Sequence, residues 1–239
     1  MKFPAAAPRG QPGAPGADIQ GYLTKPKGAG PFPAVVLLHS CLGLPSNRRA
    51  IETALAGSGY VALFIDDFAT RGLKETCAVD FPAALPDAYG ALAYLSRLPF
   101  VDASRIAAVG SSQGADTALR IASSRFASAF AIPDGLKFRA AAAFYPPCSN
   151  VEGARLKIPT LILVGAADGV TPAADCERLA QNQPGDVRLV VYPRAGHCFD
   201  DPAFGGGKNV MGMVLKYDPD AAKRSKQDLG GFLAQNLAR

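Results

Sequence analysis

The chain lacks the residue patterns that usually indicate a metal centre or a membrane span. It contains only two histidines, and its five cysteines form no C-x-x-C pair, so no zinc-finger spacing can be written. Its aliphatic residues are spread along the chain and never form a run long enough to cross a bilayer. We therefore expect neither a metal site nor a membrane-embedded protein.

Charge is also sparse. Charged residues make up 19% of the chain, and the net charge of +5 comes from scattered positions. The densest basic cluster, residues 223–226, has no interleaved aromatic side chains on which a single-stranded nucleic acid could stack. We interpret it as a solvated helix face and expect no nucleic-acid partner.

The first residues carry information about compartment and domain organisation. No apolar segment of the signal-peptide type follows Met1, which predicts a cytoplasmic protein as written; an exported form whose signal peptide has been removed stays open. Prolines and glycines recur through residues 4–16, so we expect residues 1–17 to form an extended, partly mobile arm. The remaining residues, 18–239, are enough for a single domain.

Apolar runs and helical patterns alternate along that domain. Continuous apolar runs of strand length, typical of strands covered on both faces, alternate with segments that repeat apolar residues at helical spacing. This order predicts an α/β fold, with a mostly parallel central sheet and helices on both faces. Strands are expected at 19–24, 34–38, 60–65, 106–110, 138–145, 159–164 and 187–192, and helices at 47–56, 85–98, after 112, 172–182 and 219–237.

The sequence G-S-S-Q-G at residues 110–114 stands between a strand and a helix. A G-x-S-x-G turn in that position holds its central serine in a strained conformation, with the hydroxyl above the sheet edge at a helix N-terminus. Backbone N–H groups and the helix dipole there favour an oxyanion, so Ser112 is the candidate nucleophile. The alternative is a Gly/Ser-rich turn without chemistry.

Two more residues at strand ends suit a serine nucleophile. Asp168 follows the strand at 159–164, and His197 follows the strand at 187–192. A serine hydroxyl needs an imidazole to accept its proton and a carboxylate to orient that imidazole, and the chain order Ser, Asp, His is the α/β-hydrolase order. Alone, Asp168 could be a turn residue that caps the next helix, and His197 a loop residue with local hydrogen bonds.

With these motifs the chain resembles the dienelactone hydrolases and their esterase relatives from about residue 19 onward. The likeness includes P-A-V-V-L-L-H at 33–39, the turn at 110–114, L-V-G-A-A-D at 163–168, G-H-C-F-D at 196–200 and Y-D-P at 217–219. It implies an α/β-hydrolase fold without a large lid domain, a triad of Ser112, Asp168 and His197, and an oxyanion hole from the backbone N–H groups of Cys41 and Gln113. No cofactor is implied.

Two departures from the family pattern concern the substrate. Dienelactone hydrolases use a cysteine nucleophile with an acidic residue in the first oxyanion loop, whereas this chain has Ser112, and Ser40 at the place of the acid. They also clamp the substrate carboxylate with two arginines; Arg71 matches the first, but Asp201 stands in place of the second. The chain therefore looks like the serine-using branch of the family, and we expect it to act on small neutral or aryl esters.

Several further residues are candidates for the surroundings of the site. Arg71 is either a substrate-binding residue or a solvated loop arginine, and Leu42, Cys198 and Phe199 are candidate substrate-binding residues. His39 is expected to orient the oxyanion loop rather than to act as a second base. If the protein is exported, Cys77 and Cys148, which follow strands on the ligand edge, are the candidate disulfide pair.

The expected function is a serine carboxylic-ester hydrolase that works through an acyl-enzyme, as a monomer or homodimer. The alternatives are a dienelactone-type lactone hydrolase, an acyltransferase, and a non-catalytic protein of this fold that binds a small molecule. Acyl transfer would use the same residues, so the sequence does not separate it from hydrolysis.

Overall fold

The structure is a computed structural model that describes residues 1–10, 17–79, 81, 84–123, 126–181, 183 and 186–238. Within these residues the chain forms ten strands and five α-helices. They are, in chain order, β1 (Lys2–Pro4), β2 (Asp18–Thr24), β3 (Phe32–Leu38), α1 (Arg48–Gly57), β4 (Val61–Asp66), α2 (Ala84–Leu95), β5 (Val101–Ser111), α3 (Gln113–Ser123), β6 (Ala140–Phe144), β7 (Thr160–Gly165), α4 (Ala173–Gln181), β8 (Val187–Tyr192), β9 (Lys208–Val210), β10 (Met213–Leu215) and α5 (Pro219–Asn236).

Eight strands form the central sheet, in the order β1-β2-β4-β3-β5-β6-β7-β8. The two pairs at the β1 edge are antiparallel, and every other neighbouring pair is parallel. The carboxyl ends of parallel strands meet at one edge of a sheet, so the loops that follow β3 to β8 converge there. That edge is where the candidate site lies.

The sheet is covered on both faces. Because side chains alternate along a strand, Val36 of β3 packs into one apolar cluster and its neighbour Val35 into the other. Helices α2, α3 and α4 contribute to the first cluster, and α1 and α5 contribute to the second. The α/β fold predicted from the sequence is confirmed, and no large lid domain is present in the described part of the chain.

One hairpin was not predicted. β9 and β10 pair antiparallel, and Met211 and Gly212 between them both have positive φ, at 53° and 84°. Two successive residues of positive φ are typical of the tight hairpin turn that Asn-Gly or Asp-Gly usually forms. Methionine is an uncommon residue in that conformation, so the sequence gives no signal for the turn.

Part of the expected N-terminal arm belongs to the sheet. Strand β1 pairs with β2, and the Phe3 side chain is 2% exposed. A Cβ atom on Gly90 of α2 would lie 2.3 Å from the Pro4 carbonyl oxygen, so the first residues pack closely on that helix. The prediction of a mobile arm is wrong for this part, because a buried aromatic side chain anchors it; residues 11–16 lie outside the described residues.

Two disulfides differ from the expected pair. Cys41 is bonded to Cys77 and Cys148 to Cys176, while Cys198 is a free, buried thiol. The predicted Cys77–Cys148 pairing is wrong. Cys77 lies beside the loop after β3, and Cys148 lies beside α4. The sequence shows only that both cysteines follow strands, which does not indicate these neighbours.

Each disulfide should stabilise the fold substantially, because the two bonds close loops with sequence separations of 36 and 28 residues. For loops of this length, the loss of unfolded-state entropy is worth about 3–4 kcal/mol per bond. We expect Cys148→Ala/Cys176→Ala to lower the free energy of unfolding, measured with urea, by about that amount. A reductant should lower the variant's stability further, because it breaks the remaining Cys41–Cys77 bond. A peptide map of the unreduced protein in which Cys77 is joined to Cys148 would contradict the two observed pairs.

Candidate active site

Ser112 occupies a sharp turn between the end of β5 and the start of α3. Its φ is 52°, a left-handed conformation that is uncommon for a residue other than glycine. A Cβ atom on Gly110 would lie 2.0 Å from the Gly114 carbonyl oxygen, and one on Gly114 would lie 2.4 Å from the Leu38 carbonyl oxygen. Only glycine permits these approaches, and they hold Ser112 at the N-terminus of α3.

His197 and Asp168 lie within hydrogen-bond distance of one another and complete a chain to Ser112. His197 Nε2 is 3.0 Å from Ser112 Oγ, and His197 Nδ1 is 2.8 Å from Asp168 Oδ2. The histidine is buried, and the Asp168 side chain is fully covered. In this arrangement the imidazole can accept the serine proton while the carboxylate stabilises the resulting cation.

The Asp168 carboxylate is fixed by its own loop. Its Oδ1 atom accepts hydrogen bonds from the backbone N–H groups of Val170 and Thr171, at 2.8 and 2.9 Å. Burial alone would raise the pKa of Asp168, but hydrogen bonding and charge from His197, together with these N–H groups, lower it below its ordinary value. The carboxylate is therefore charged at neutral pH, and its orientation is set before substrate arrives.

Tyr145 lies against the imidazole. Its ring centroid is 4.7 Å from that of His197 in an edge-on arrangement, and its hydroxyl donates to Asp200 Oδ1 at 2.8 Å. Burial, and then the Asp200 charge, raise the pKa of Tyr145 well above its ordinary value, so the hydroxyl stays protonated. The Tyr145 carbonyl oxygen lies 3.1 Å from the Thr171 hydroxyl, which links this residue to the Asp168 loop.

The candidate oxyanion donors lie on two neighbouring elements. Gln113 is the first residue of α3, where backbone N–H groups have no partner within the helix. Cys41 is in the turn after β3, which is closed by a hydrogen bond from the Gly43 N–H to the Ser40 carbonyl oxygen. This turn abuts the serine turn, because a Cβ on Gly114 would also lie 2.5 Å from the His39 carbonyl oxygen.

His39 has the structural place that was expected for it. Its Nδ1 atom is 2.8 Å from the Ser40 carbonyl oxygen, and its Nε2 atom is 2.6 Å from Asp67 Oδ1. Burial alone would lower the pKa of His39, but the hydrogen bond and charge of Asp67 outweigh it and raise the pKa. The pair holds the beginning of the Cys41 turn and does not contact Ser112 in the structure.

Arg71 is neither solvated nor free to clamp a substrate carboxylate. Its guanidinium forms a bidentate ion pair with the fully buried Asp87 carboxylate, at 2.8 and 3.0 Å, and also donates to the Asp67 carbonyl oxygen. Three of its five N–H donors are thus used within the protein. The expectation of a solvated loop arginine is wrong, because α2 supplies a buried partner.

The other candidate binding residues separate into two groups. Leu42 is half-buried in the Cys41 turn and remains accessible. Phe199 is fully buried among the rings of Phe144, Tyr145 and Tyr192, so the structure gives it a packing role and not the expected substrate contact. Cys198 is also buried, and burial raises the pKa of its thiol, which keeps it protonated and unreactive.

The chain is similar to known proteins in sequence and in fold. Residues 19–237 match the sequence profile of the dienelactone hydrolase family. The chain belongs to that family. As a member of the dienelactone hydrolase family it is a hydrolase of carboxylic esters with the α/β-hydrolase fold, which confirms the resemblance found in the sequence.

Individual relatives cover the chain to different extents. An uncharacterized protein of Mycobacterium tuberculosis is 28% identical over 220 residues, 87% of this chain and 77% of that protein. Esterase FrsA of Shigella boydii is 33% identical over 108 residues, 45% of this chain and 26% of the esterase. Among solved structures, the dienelactone hydrolase-like promiscuous phosphotriesterase P91 from metagenomic libraries has a TM-score of 0.74 at 21% identity, covering 100% of this chain and 98% of P91.

Sequence reasoning missed three residues that support the site. Thr171 follows Asp168 by three residues and donates hydrogen bonds from its backbone N–H and its hydroxyl to the Asp168 carboxylate. The spacing from an aspartate to a residue just before a helix start at Pro172 could have indicated this contact. Asp67 stands directly after β4 on the ligand edge, where an acidic residue is worth testing as a partner for His39. Thr76 is in an irregular loop and gave no signal. Among the described residues, no group of His, Cys, Asp and Glu side chains could hold a metal ion, and no helix is long and apolar enough to span a membrane.

Gly114→Ala tests whether close backbone approach holds the serine turn. The added methyl would overlap the Leu38 and His39 carbonyl oxygens, so we expect a loss of about 2–3 kcal/mol in the free energy of unfolding and at least a tenfold fall in esterase activity. Gly231→Ala on α5 is the matched control, since nothing lies within 4 Å of the added methyl. Its free energy of unfolding should rise by up to about 1 kcal/mol, and its activity should be unchanged. Equal stability and activity of the two variants would show that close backbone approach does not hold the serine turn.

Proposed function

We propose that the protein is a serine esterase that hydrolyses small neutral or aryl carboxylic esters through an acyl-enzyme on Ser112. The observation that carries this proposal is the continuous hydrogen-bonded series Ser112, His197 and Asp168, with the serine in a left-handed turn at a helix N-terminus. A protein that only binds a small molecule does not need a serine, a histidine and an aspartate joined in one hydrogen-bonded series.

The proposed reaction begins with proton transfer. His197 Nε2 accepts the Ser112 proton as Oγ attacks the ester carbonyl carbon, and Asp168 stabilises the imidazolium that forms. The carbonyl oxygen becomes an oxyanion that receives hydrogen bonds from the Cys41 and Gln113 backbone N–H groups. The imidazolium then protonates the leaving alcohol, and the same groups in reverse order let water release the acid from Ser112.

The charges around the site favour a substrate without a carboxylate. Arg71, which would be the first clamp for an anion, is already paired with Asp87. Asp201, an acidic residue, stands where the second clamp would be, and its side chain accepts a hydrogen bond from the Ala203 N–H. A like charge about 6 Å from a substrate carboxylate costs about 3 kcal/mol at an effective dielectric constant near 20.

The two disulfides support an oxidising compartment as the place where the protein works. Disulfides persist in secreted and periplasmic proteins, whereas cytosolic reductants keep most thiols reduced. Both bonds join loops or helix ends that surround the carboxyl edge of the sheet. We therefore favour the exported form over the cytoplasmic one expected from the sequence.

Ser112→Ala tests the nucleophile. We expect kcat for p-nitrophenyl acetate to fall by about 10⁴-fold or more. His197→Ala should lower kcat by a similar factor, and the double variant should lose little further, because the two residues act as a unit. A fluorophosphonate probe should label wild-type Ser112, as read by mass spectrometry. Ser111→Ala, one residue earlier on the same turn, is the control and should still be labelled; label on Ser111 or Cys198 would overturn the assignment.

Substrate charge gives a separate prediction. Neutral p-nitrophenyl butyrate and anionic mono-p-nitrophenyl succinate have acyl groups of equal length, and we expect kcat/KM to favour the neutral ester by about 100-fold. Asp201→Asn removes the acidic group but keeps a side-chain oxygen that can cap the following turn. It should therefore reduce the difference in kcat/KM between the two esters. If the anionic ester is preferred by wild type and by Asp201→Asn alike, the charge argument fails and a dienelactone-type substrate is favoured.

A further inference from the structure

One buried threonine contacts both residues of the proposed oxyanion hole. Thr76, in the loop between β4 and α2, is only 2% exposed. Its backbone N–H donates to the Cys41 carbonyl oxygen at 2.9 Å, and its hydroxyl donates to Gln113 Oε1 at 2.8 Å. Cys41 follows β3 and Gln113 begins α3, so Thr76 bridges two elements that are separate in sequence.

The next residue adds a covalent connection. Cys77 Sγ is bonded to Cys41 Sγ, and the two Cα atoms are 4.8 Å apart. Two consecutive residues, Thr76 and Cys77, therefore hold Cys41 by a main-chain hydrogen bond and by a disulfide. We call this pair the Thr76–Cys77 clamp.

The clamp acts on a turn that lies outside the strands of the sheet. Gln113 N–H is fixed by α3, whose first turn packs against the end of β3. Cys41 N–H lies in a turn beyond the strand. The contact between Gly114 and the His39 carbonyl oxygen holds the beginning of that turn, and the clamp adds a connection from Cys41 itself to the Gln113 side chain. An oxyanion hole functions only when both donors lie within hydrogen-bond reach of the developing charge, so the separation of these two N–H groups is decisive.

We propose that Thr76, with the adjacent Cys41–Cys77 disulfide, is a positioning residue that sets the distance between the two backbone donors of the oxyanion hole. This inference rests on the proposed serine-esterase function and goes beyond it. Thr76 itself does not touch the substrate. It acts on the transition state through Cys41 and Gln113, so its loss should lower kcat more than it changes KM.

Thr76→Val and Thr76→Ser separate the hydroxyl from the shape of the side chain. Full loss of an oxyanion donor costs about 10²–10³-fold in kcat, so loosening one should cost about tenfold. We expect Thr76→Val to lower kcat for p-nitrophenyl acetate by about tenfold with KM changed less than about twofold, and Thr76→Ser to restore most of it. The affinity for a trifluoromethyl ketone, whose serine adduct carries an oxyanion, should fall with kcat/KM.

A second pair of variants tests the clamp independently of Thr76→Val folding. Cys77→Ala opens the disulfide at the oxyanion turn, and Cys176→Ala opens the other disulfide, which closes a loop of similar sequence separation, 28 residues against 36. Both should lose similar stability, because the loop-closure entropies are similar. Only Cys77→Ala should lose about tenfold in kcat and in trifluoromethyl ketone affinity, while Cys176→Ala keeps both within about twofold.

The outcomes distinguish the clamp from the esterase function. If fluorophosphonate labels wild-type Ser112, but Thr76→Val and Cys77→Ala turn over ester as fast as Cys176→Ala, the clamp is wrong and the esterase function stands. If folded Thr76→Val and Thr76→Ser lose activity equally, the hydroxyl is not the positioning group, and the inference is overturned. If wild type is not labelled and Ser112→Ala keeps wild-type activity, the proposed function fails and the clamp fails with it.

Discussion

The close approach of backbone at the serine turn is the constraint on which the rest of the site depends. Gly110 and Gly114 lie so close that neither position has room for a Cβ atom, and Gly114 in turn touches the carbonyl oxygens at the end of β3. Together these contacts hold the left-handed Ser112, the N-terminus of α3 and the beginning of the Cys41 turn. The proposed nucleophile and the proposed oxyanion donors can lie close together because no side chain separates these segments.

Parallel pairing extends this constraint to the acid and the base. Strands β5, β6, β7 and β8 are neighbours in the sheet in chain order, so their carboxyl ends deliver Ser112, Tyr145, Asp168 and His197 in sequence along one edge. Gly165 allows the His197 loop to approach, since a Cβ there would lie 2.1 Å from the Ala195 carbonyl oxygen. The geometry of the proposed triad therefore follows from sheet register and two sites of close packing.

The sequence predicts the parts of this arrangement that depend on local patterns. Buried strands appear as apolar runs, and the serine turn appears as a glycine spacing, so the sheet and the order Ser112, Asp168, His197 are readable directly. Contacts between distant loops leave no such pattern. The Cys41–Cys77 pairing depends on which loops meet across the sheet edge, and the Arg71–Asp87 pair depends on where α2 packs. The substrate contact expected of Phe199 is wrong for the same reason: the residue follows His197 by two positions, but its ring packs against Phe144, Tyr145 and Tyr192.

The residues at the serine turn and the residues at the Cys41 turn are held in place in different ways. Ser112 and Gln113 are held by the sheet and by α3, so their positions share the stability of the whole core. Cys41 and Thr76 lie in loops outside the strands, where local opening costs less free energy than global unfolding. A disulfide and a buried hydroxyl at that place add local stability where the core supplies little. The proposed nucleophile is thus secured by folding itself, whereas the proposed oxyanion hole has additional support from the loop between β4 and α2.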